Sequence, residues 1–439
     1  MSEQQGTPYS GAMALAPEDV FTPAAPVQED MFAARRHEDL ENRVLLALNE
    51  RGKQVILYGD TGVGKTSLMN HMARVRRVEM IRVECGGTFE ETLQQALAAA
   101  AERREVKRTR KTSGEVEASG TFFGILTGRA KAAGGTDVEY EPIEAPFYLQ
   151  VVEALEASGV RILFLDNYEN IFGHANERGI TRSIVQLLKT LSDRAAEGKD
   201  RLKAVVAGIP SASEALIAFD DATARRIEQI EVPRMPDEEL DQILERGEKK
   251  LRISFGGHAR HMILAYSDGF PYYTHLLALH TSRRVIGDGR DEVSLADFDD
   301  ALDAILQGCD LRLRNQYNRA VETTGDVRAR KSILEAIASL NDREVPFKAI
   351  RTAFLRAHPR YGTDPTRLNF LSTAIKPFKE EYAILEDRNL PKSKRNAYRF
   401  KNPLMRAYVR LRMRKEGTGQ AAVWDPSVGA PAELPEPAT

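Results

Sequence analysis

Cysteine is almost missing from this chain: Cys85 and Cys309 are the two in 439 residues. They lie far apart without metal-ligand spacing, so no zinc site is suggested, and Cys85 reads as a small buried apolar residue. Tryptophan occurs once, at Trp424, as a tail residue or part of a docking peptide. No apolar run reaches the 18 residues of a membrane span. Residues 1–30, rich in Ala, Pro and Glu, lack the apolar core of a secretory signal. These absences lead us to expect a reducing, cytoplasmic setting and no membrane partner. Net charge is also small, at −2, so any case for nucleic acid must rest on local charge. There is no short internal repeat.

What is present describes a globular chain. Hydrophobic residues make up 42% and charged residues 29%, over a length that suits two or three domains. The most informative stretch is Gly59-Asp60-Thr61-Gly62-Val63-Gly64-Lys65-Thr66. An apolar run, Gln54–Tyr58, precedes it as a buried strand, and Ser67 continues into a helix. Strand, glycine loop, Lys-Thr and helix make a phosphate-binding loop in its proper context. Glycines let the backbone wrap with its N–H groups inward, towards a polyphosphate at the helix N-terminus. Lys65 supplies charge for the β- and γ-phosphates, and Thr66 a hydroxyl for Mg²⁺.

Along the chain, residues 1–25 read as a flexible arm and 416–439 as a disordered Pro-rich tail. Between them, 26–234 alternates strands with helices, which implies a parallel sheet with its ligand at the carboxyl ends of the strands. Thr88 and Glu91 form a capping box opening an Ala-rich helix to about Arg103. Residues 103–142, first basic and then Gly-rich, read as an exposed insertion with a possible hairpin, either solvated or touching nucleic acid or a neighbouring subunit. Pro146 to Ser158 is helical, with proline at the first position. Residues 235–312 read as an all-helical lid without strands, with Ser294 as an N-cap. Residues 325–415 read as three helices and a two-stranded wing, a winged helix-turn-helix with strands Tyr382–Leu385 and Ala397–Phe400.

Asp166 closes the most apolar strand, where a carboxylate that holds Mg²⁺ belongs. Asn167 follows it; an amide can orient water but cannot take its proton. Glu169 is the next carboxylate, a general-base candidate whose alternative is a surface role. Ser211 and Ser213, after the strand ending at Gly208, can sense the γ-phosphate or cap a loop. Arg225 and Arg226 stand where they could reach a nucleotide in a neighbouring subunit, or remain solvated or ion-paired. Residues 391–415 carry ten Lys and Arg and no acid. Lys392, Lys394 and Arg395 at the wing tip would grip phosphates, with Arg367 and Lys376 on a reading helix. The alternative is a winged helix used for protein packing, its basic side solvated or lying on the acidic lid.

Taken together, the phosphate loop, the strand Ile162–Asp166, the lid and the winged helix resemble the AAA+ ATPases, in the branch shared by origin-recognition initiators and STAND signalling ATPases. The resemblance runs from about Phe21 to Arg414. It implies ATP and Mg²⁺ as ligands. Phe32-Ala33-Ala34-Arg35 resembles a Phe-x-Gly-Arg segment that lies by the adenine in relatives, which puts Arg35 there. Gly269-Phe270-Pro271 resembles the Gly-x-Pro motif of the STAND group, which puts Pro271 at the nucleotide. Many relatives have glutamate in place of Asn167, so slow or assisted hydrolysis is expected. Arg283 and Arg284 come later than an initiator's lid arginine. The resemblance further implies self-assembly on ATP binding, and either double-stranded DNA or a separate effector protein as partner.

Overall fold

The computed structural model describes residues 15–111, 146–172, 174–198, 201–219, 224–321, 327–358, 369–389 and 396–417. The chain forms two compact units, one of Arg35–Asp60 with Lys65–Pro233, the other of Met1–Ala34, Thr61–Gly64 and Arg234–Thr439.

The first unit is an α/β layer. In order it contains α1 (Leu40–Asn49), β1 (Gln54–Tyr58), α2 (Lys65–Val75), β2 (Glu79–Glu84), α3 (Phe89–Lys111), α4 (Phe147–Ala157), β3 (Val160–Asp166), α5 (Glu177–Ala196), β4 (Lys203–Gly208), α6 (Pro210–Ala218) and β5 (Ile227–Glu231). Its five strands run in the order β2-β3-β4-β1-β5, and every pairing is parallel. Both faces of β3 and β4 are covered, which explains their unbroken apolar runs: Ile162 to Leu165 and Ala204 to Ala207 have almost no exposure. The capping box at Thr88 is formed, with Glu91 N–H donating to Thr88 Oγ1 at 3.1 Å and Thr88 N–H to Glu91 Oε2 at 2.8 Å. Two expectations shift. Helix α3 continues past Arg103 to Lys111, because the basic run is made of good helix formers. Pro146 is the N-cap of α4, one position earlier than the sequence suggests. The Gly-rich part of the insertion lies outside the described residues.

The second unit opens with a short helix, Pro17–Val20, so the arm expected over 1–25 is ordered from that point. Val20 and Phe21 are buried, and any side chain on Gly247 would collide with the Phe21 ring. The lid comprises α7 (Asp237–Leu251), β6 (Ser254–Phe255), α8 (Gly257–Ser267), α9 (Pro271–Gly287), β7 (Glu292–Val293) and α10 (Leu295–Gly308). Contrary to the strandless expectation, β6 and β7 pair in parallel. Two residues each are too few for a sequence signal. Ser294 caps α10 in a capping box with Asp297.

After the lid come α11 (Leu311–Val321), α12 (Val327–Ala338), β8 (Val345–Pro346), α13 (Phe347–Ala357), α14 (Asn369–Glu380), β9 (Leu385–Asn389), β10 (Asn396–Phe400) and α15 (Leu404–Glu416). Helix α11 falls where no element was expected. The wing has three antiparallel strands, β8-β10-β9, where two were expected; β8 escapes notice because it is a dipeptide ending in proline. Strand β9, the earlier of the two expected, begins at Leu385, later than expected, after a left-handed turn at Ala383 (φ 50°). The architecture is a parallel-sheet P-loop domain, a helical lid and a winged helix.

Candidate functional site

Strand β1 delivers the chain to the glycine loop, and α2 begins at Lys65, so the helix N-terminus and the lysine share one end of the loop. Gly62 (φ 86°) and Gly64 (φ 93°) adopt backbone conformations that other residues enter only at a cost. The loop tip, Thr61–Gly64, is grouped with the second unit. There a Cβ on Gly62 would stand 3.4 Å from Leu404 Cδ2 and from Tyr272 Cβ.

The Lys65 ammonium is buried and donates to the carbonyls of Gly59 at 2.9 Å and Asp60 at 3.1 Å. Burial lowers its pKa, and Glu169, Asp166 and Asp60 oppose that with negative charge. Thr66 Oγ1 donates to Asp166 Oδ2 at 2.7 Å. Asp166 is fully buried, and its Oδ1 accepts from Asn167 N–H at 3.0 Å. Asn167 takes a left-handed conformation (φ 55°), which asparagine tolerates, and opens a short 3₁₀ turn over Tyr168–Ile171. That turn brings Glu169 back to the end of β4, where its Oε2 accepts from Ile209 N–H at 3.2 Å. Gly208 leaves room for it: a Cβ there would be 3.2 Å from Glu169 Oε2. Lys65, Thr66, Asp166, Asn167 and Glu169 thus meet at the carboxyl ends of β1, β3 and β4. Cys85 lies beside them, its thiol pushed up to about 12 by burial and by Asp166 and Glu169, which rules out a thiolate nucleophile at neutral pH.

One neighbour was not foreseen. Arg82, on β2, donates from Nε to Asp166 Oδ2 at 2.8 Å and from Nη2 to Glu84 Oε1 at 3.1 Å. In register, Arg82 pairs with Phe164 and Glu84 with Asp166, so the arginine meets the carboxylate on the diagonal of adjacent parallel strands. The signal was a lone arginine among Met80, Ile81 and Val83, unreadable without knowing that β2 borders β3.

Other candidates lie elsewhere. Arg225 is exposed, and Arg226 pairs with Asp193 at 2.9 Å, at the start of β5 and so at the opposite strand ends from the loop. Ser211 is exposed and Ser213 buried, both on α6. Arg35 is buried, donates to Pro233 O at 2.6 Å, and borders a cleft of about 450 Å³ with Asn42, Leu45 and Met72. Within the second unit Pro271 opens α9, and Gly269 (φ 79°) is required because a Cβ there would stand 2.8 Å from Arg234 Cβ. Arg283 pairs with Glu18, and Arg284 with Asp300 at 2.6 Å. Lys376 is exposed, 3.7 Å from Glu380. Arg367, Lys392, Lys394 and Arg395 lie outside the described residues.

The basic C-terminal helix is not the open positive face it suggests in sequence. Arg406 and Arg410 are buried against Asp268, with Arg234 on the same carboxylate at 2.8 Å. Burial pushes the Asp268 carboxyl up, but Arg406, Arg410 and Arg234 outweigh it and hold it below its ordinary value. Arg414 grips Asp299 with two bonds of 2.8 Å, Lys415 reaches Asp303 at 2.5 Å, and Arg412 reaches Glu416 at 2.7 Å.

The donor set at Thr66 and Asp166, hydroxyl and carboxylate oxygen, fits a hard divalent cation. Among the described residues no three His, Cys, Asp or Glu side chains cluster as a self-sufficient metal cage. The parallel sheet, glycine loop and Lys65–Thr66–Asp166 constellation define a P-loop nucleoside-triphosphatase domain. Residues 49–216 match the family described as AAA domain. The match covers this segment of the first unit and places an ATPase domain there.

No curated protein matches the chain in sequence. Similar solved structures include the ORC1 protein of Aeropyrum pernix in complex with DNA (14% identity, 90% of this chain and 96% of that one, TM-score 0.43). Others are Cdc6p from Pyrobaculum aerophilum (14%, 91% and 98%, 0.40) and the RuvB Holliday junction branch migration motor of Thermotoga maritima (15%, 84% and 96%, 0.40). Among the described residues no helix is long and apolar enough to cross a membrane.

Proposed function

We propose that the protein is a slowly hydrolysing ATP switch that couples its nucleotide state to DNA binding through the winged helix. The observation that carries the nucleotide half is the 2.7 Å contact of Thr66 with Asp166, beside the buried Lys65 ammonium. Lys65 and the loop amides would bind the β- and γ-phosphates, and Thr66 and Asp166 would hold Mg²⁺. The cation supplies charge neutralisation on the phosphates. Glu169 would take the proton of the attacking water, and Asn167 would help orient that water. Asn167 beside the metal carboxylate supports slow turnover. Arg35 would lie by the adenine, and Arg225 or Arg226 would serve a neighbour's nucleotide in an ATP-dependent assembly.

The DNA half rests on Lys376, Arg367 and the wing residues Lys392, Lys394 and Arg395. A second reading, a STAND-type signalling ATPase that oligomerises and engages an effector protein, is favoured by α15, whose Arg406, Arg410, Arg414 and Lys415 are spent on the lid's carboxylates. Fluorescent-ATP titration with a Lys65→Ala control tests the nucleotide reading, which fails if wild type does not bind. Anisotropy with duplex DNA at two salt concentrations separates the readings, since no binding at low salt rejects the first. Mass photometry with ATP tests the second, which fails if the protein stays monomeric with and without nucleotide.

A further inference from the structure

Asp166 Oδ2 is crowded: it accepts the Thr66 hydroxyl at 2.7 Å and the Arg82 Nε at 2.8 Å. The carboxylate is 1% exposed and Arg82 32% exposed. A buried carboxylate without a counter-charge is costly, and Arg82 provides one. The remaining arm of the guanidinium points to Glu84, a 60% exposed carboxylate on the edge strand β2, so it has a second resting place at the surface.

We propose that Arg82 is a built-in counter-cation for Asp166, a positioning residue that competes with Mg²⁺ for this oxygen and so sets how strongly nucleotide binding depends on the metal. This deepens, and rests on, the reading of Asp166 as the metal carboxylate. Two cations cannot share Oδ2 without repulsion, so metal entry moves the guanidinium towards Glu84. Without metal, Arg82 shields incoming phosphates from the Asp166 charge. Arg82 therefore raises nucleotide affinity in the absence of metal and diminishes the gain that metal brings.

The test is the ratio of the dissociation constants of a fluorescent ATP analogue in EDTA and in saturating Mg²⁺, measured on the full chain. A loss of folded protein scales both constants alike and leaves the ratio unmoved. An opposite charge at this distance alters a carboxylate's cation affinity by an order of magnitude or more. Arg82→Gln should therefore raise the ratio roughly tenfold, with Arg82→Lys close to wild type. Glu84→Gln, an exposed change, leaves the guanidinium more firmly on Asp166 and should lower the ratio. A ratio in Arg82→Gln within about twofold of wild type overturns the proposal. Should Arg82→Gln fail to fold, an unchanged or raised ratio in Glu84→Gln overturns it. If wild type binds no nucleotide in either buffer, the phosphate-loop reading itself falls and takes this inference with it.

Discussion

Arg406 grips Asp268 with two bonds, Nη2 to Oδ1 at 2.6 Å and Nε to Oδ2 at 2.9 Å, across 138 residues of chain. Asp268 directly precedes Gly269-Phe270-Pro271 and has a left-handed backbone (φ 53°). Arg410 and Arg234 share its carboxylate, and Arg234 stacks on Phe270 at 4.2 Å. Removing the carboxylate leaves three guanidinium groups without their common partner, two of them buried. Asp268→Asn should cost about 3–5 kcal/mol of stability, read as a lower urea midpoint. Asp268→Glu, which keeps the charge, should cost less. A loss for Asp268→Asn below about 1 kcal/mol would show that the cluster holds nothing together.

This cluster marks the limit of what the sequence could reveal. The phosphate loop, the strand–helix alternation and Asp166 are local or nearly local patterns, and single residues such as Thr88 and Ser294 announce their own caps. Arg406 and Arg410 read as part of a basic run because charge in sequence carries no sign of burial. Their partner Asp268 sits in a turn whose own pattern points to the nucleotide motif. Arg82 stayed hidden for a related reason, since strand order joins β2 to β3 without any trace in either strand.

His275 makes the docking of the N-terminal segment sensitive to acid. It is fully buried, and its Nδ1 accepts from Thr22 N–H at 3.3 Å, which requires the neutral ring. Burial lowers its pKa to about 4, against 6.5 when unfolded. Between those values the unfolded chain binds a proton that the folded chain refuses, so stability falls as pH drops. The contribution is intact above about pH 6.5 and about 2 kcal/mol is lost by pH 5. Hydrogen exchange at the Thr22 amide should accelerate at pH 5 relative to pH 7, after correction for intrinsic rates. His275→Asn, whose side-chain oxygen accepts without titrating, should flatten that difference; an equal pH response in the variant would assign the acid sensitivity elsewhere.

On the proposed reading, Glu169 and Asn167 would divide the water-handling chemistry between a carboxylate that can take a proton and an amide that cannot. Glu169→Gln should lower kcat by roughly 100-fold or more while leaving ATP affinity within about threefold of wild type. Asn167→Glu adds a carboxylate directly after Asp166 and should raise kcat. If Glu169→Gln turns over at the wild-type rate, Glu169 is a spectator whose place is to accept from Ile209 N–H.

Charge on the winged helix separates its two possible uses. Arg406, Arg410, Arg414 and Lys415 are committed to carboxylates or buried carbonyls, so their loss should show in stability before it shows in any binding assay. Lys392, Lys394 and Arg395 form the basic stretch between β9 and β10, where a phosphate grip would be sequence-independent. If duplex DNA is the partner, the triple alanine variant at those positions should weaken binding alike for unrelated sequences. It should also make the slope of log K against log salt shallower by about three. Thermal unfolding of the variant should be measured alongside, so that a loss of binding is not mistaken for a loss of folded protein. Unchanged affinity and slope would remove the wing from the DNA reading and leave the protein-partner reading as the stronger one.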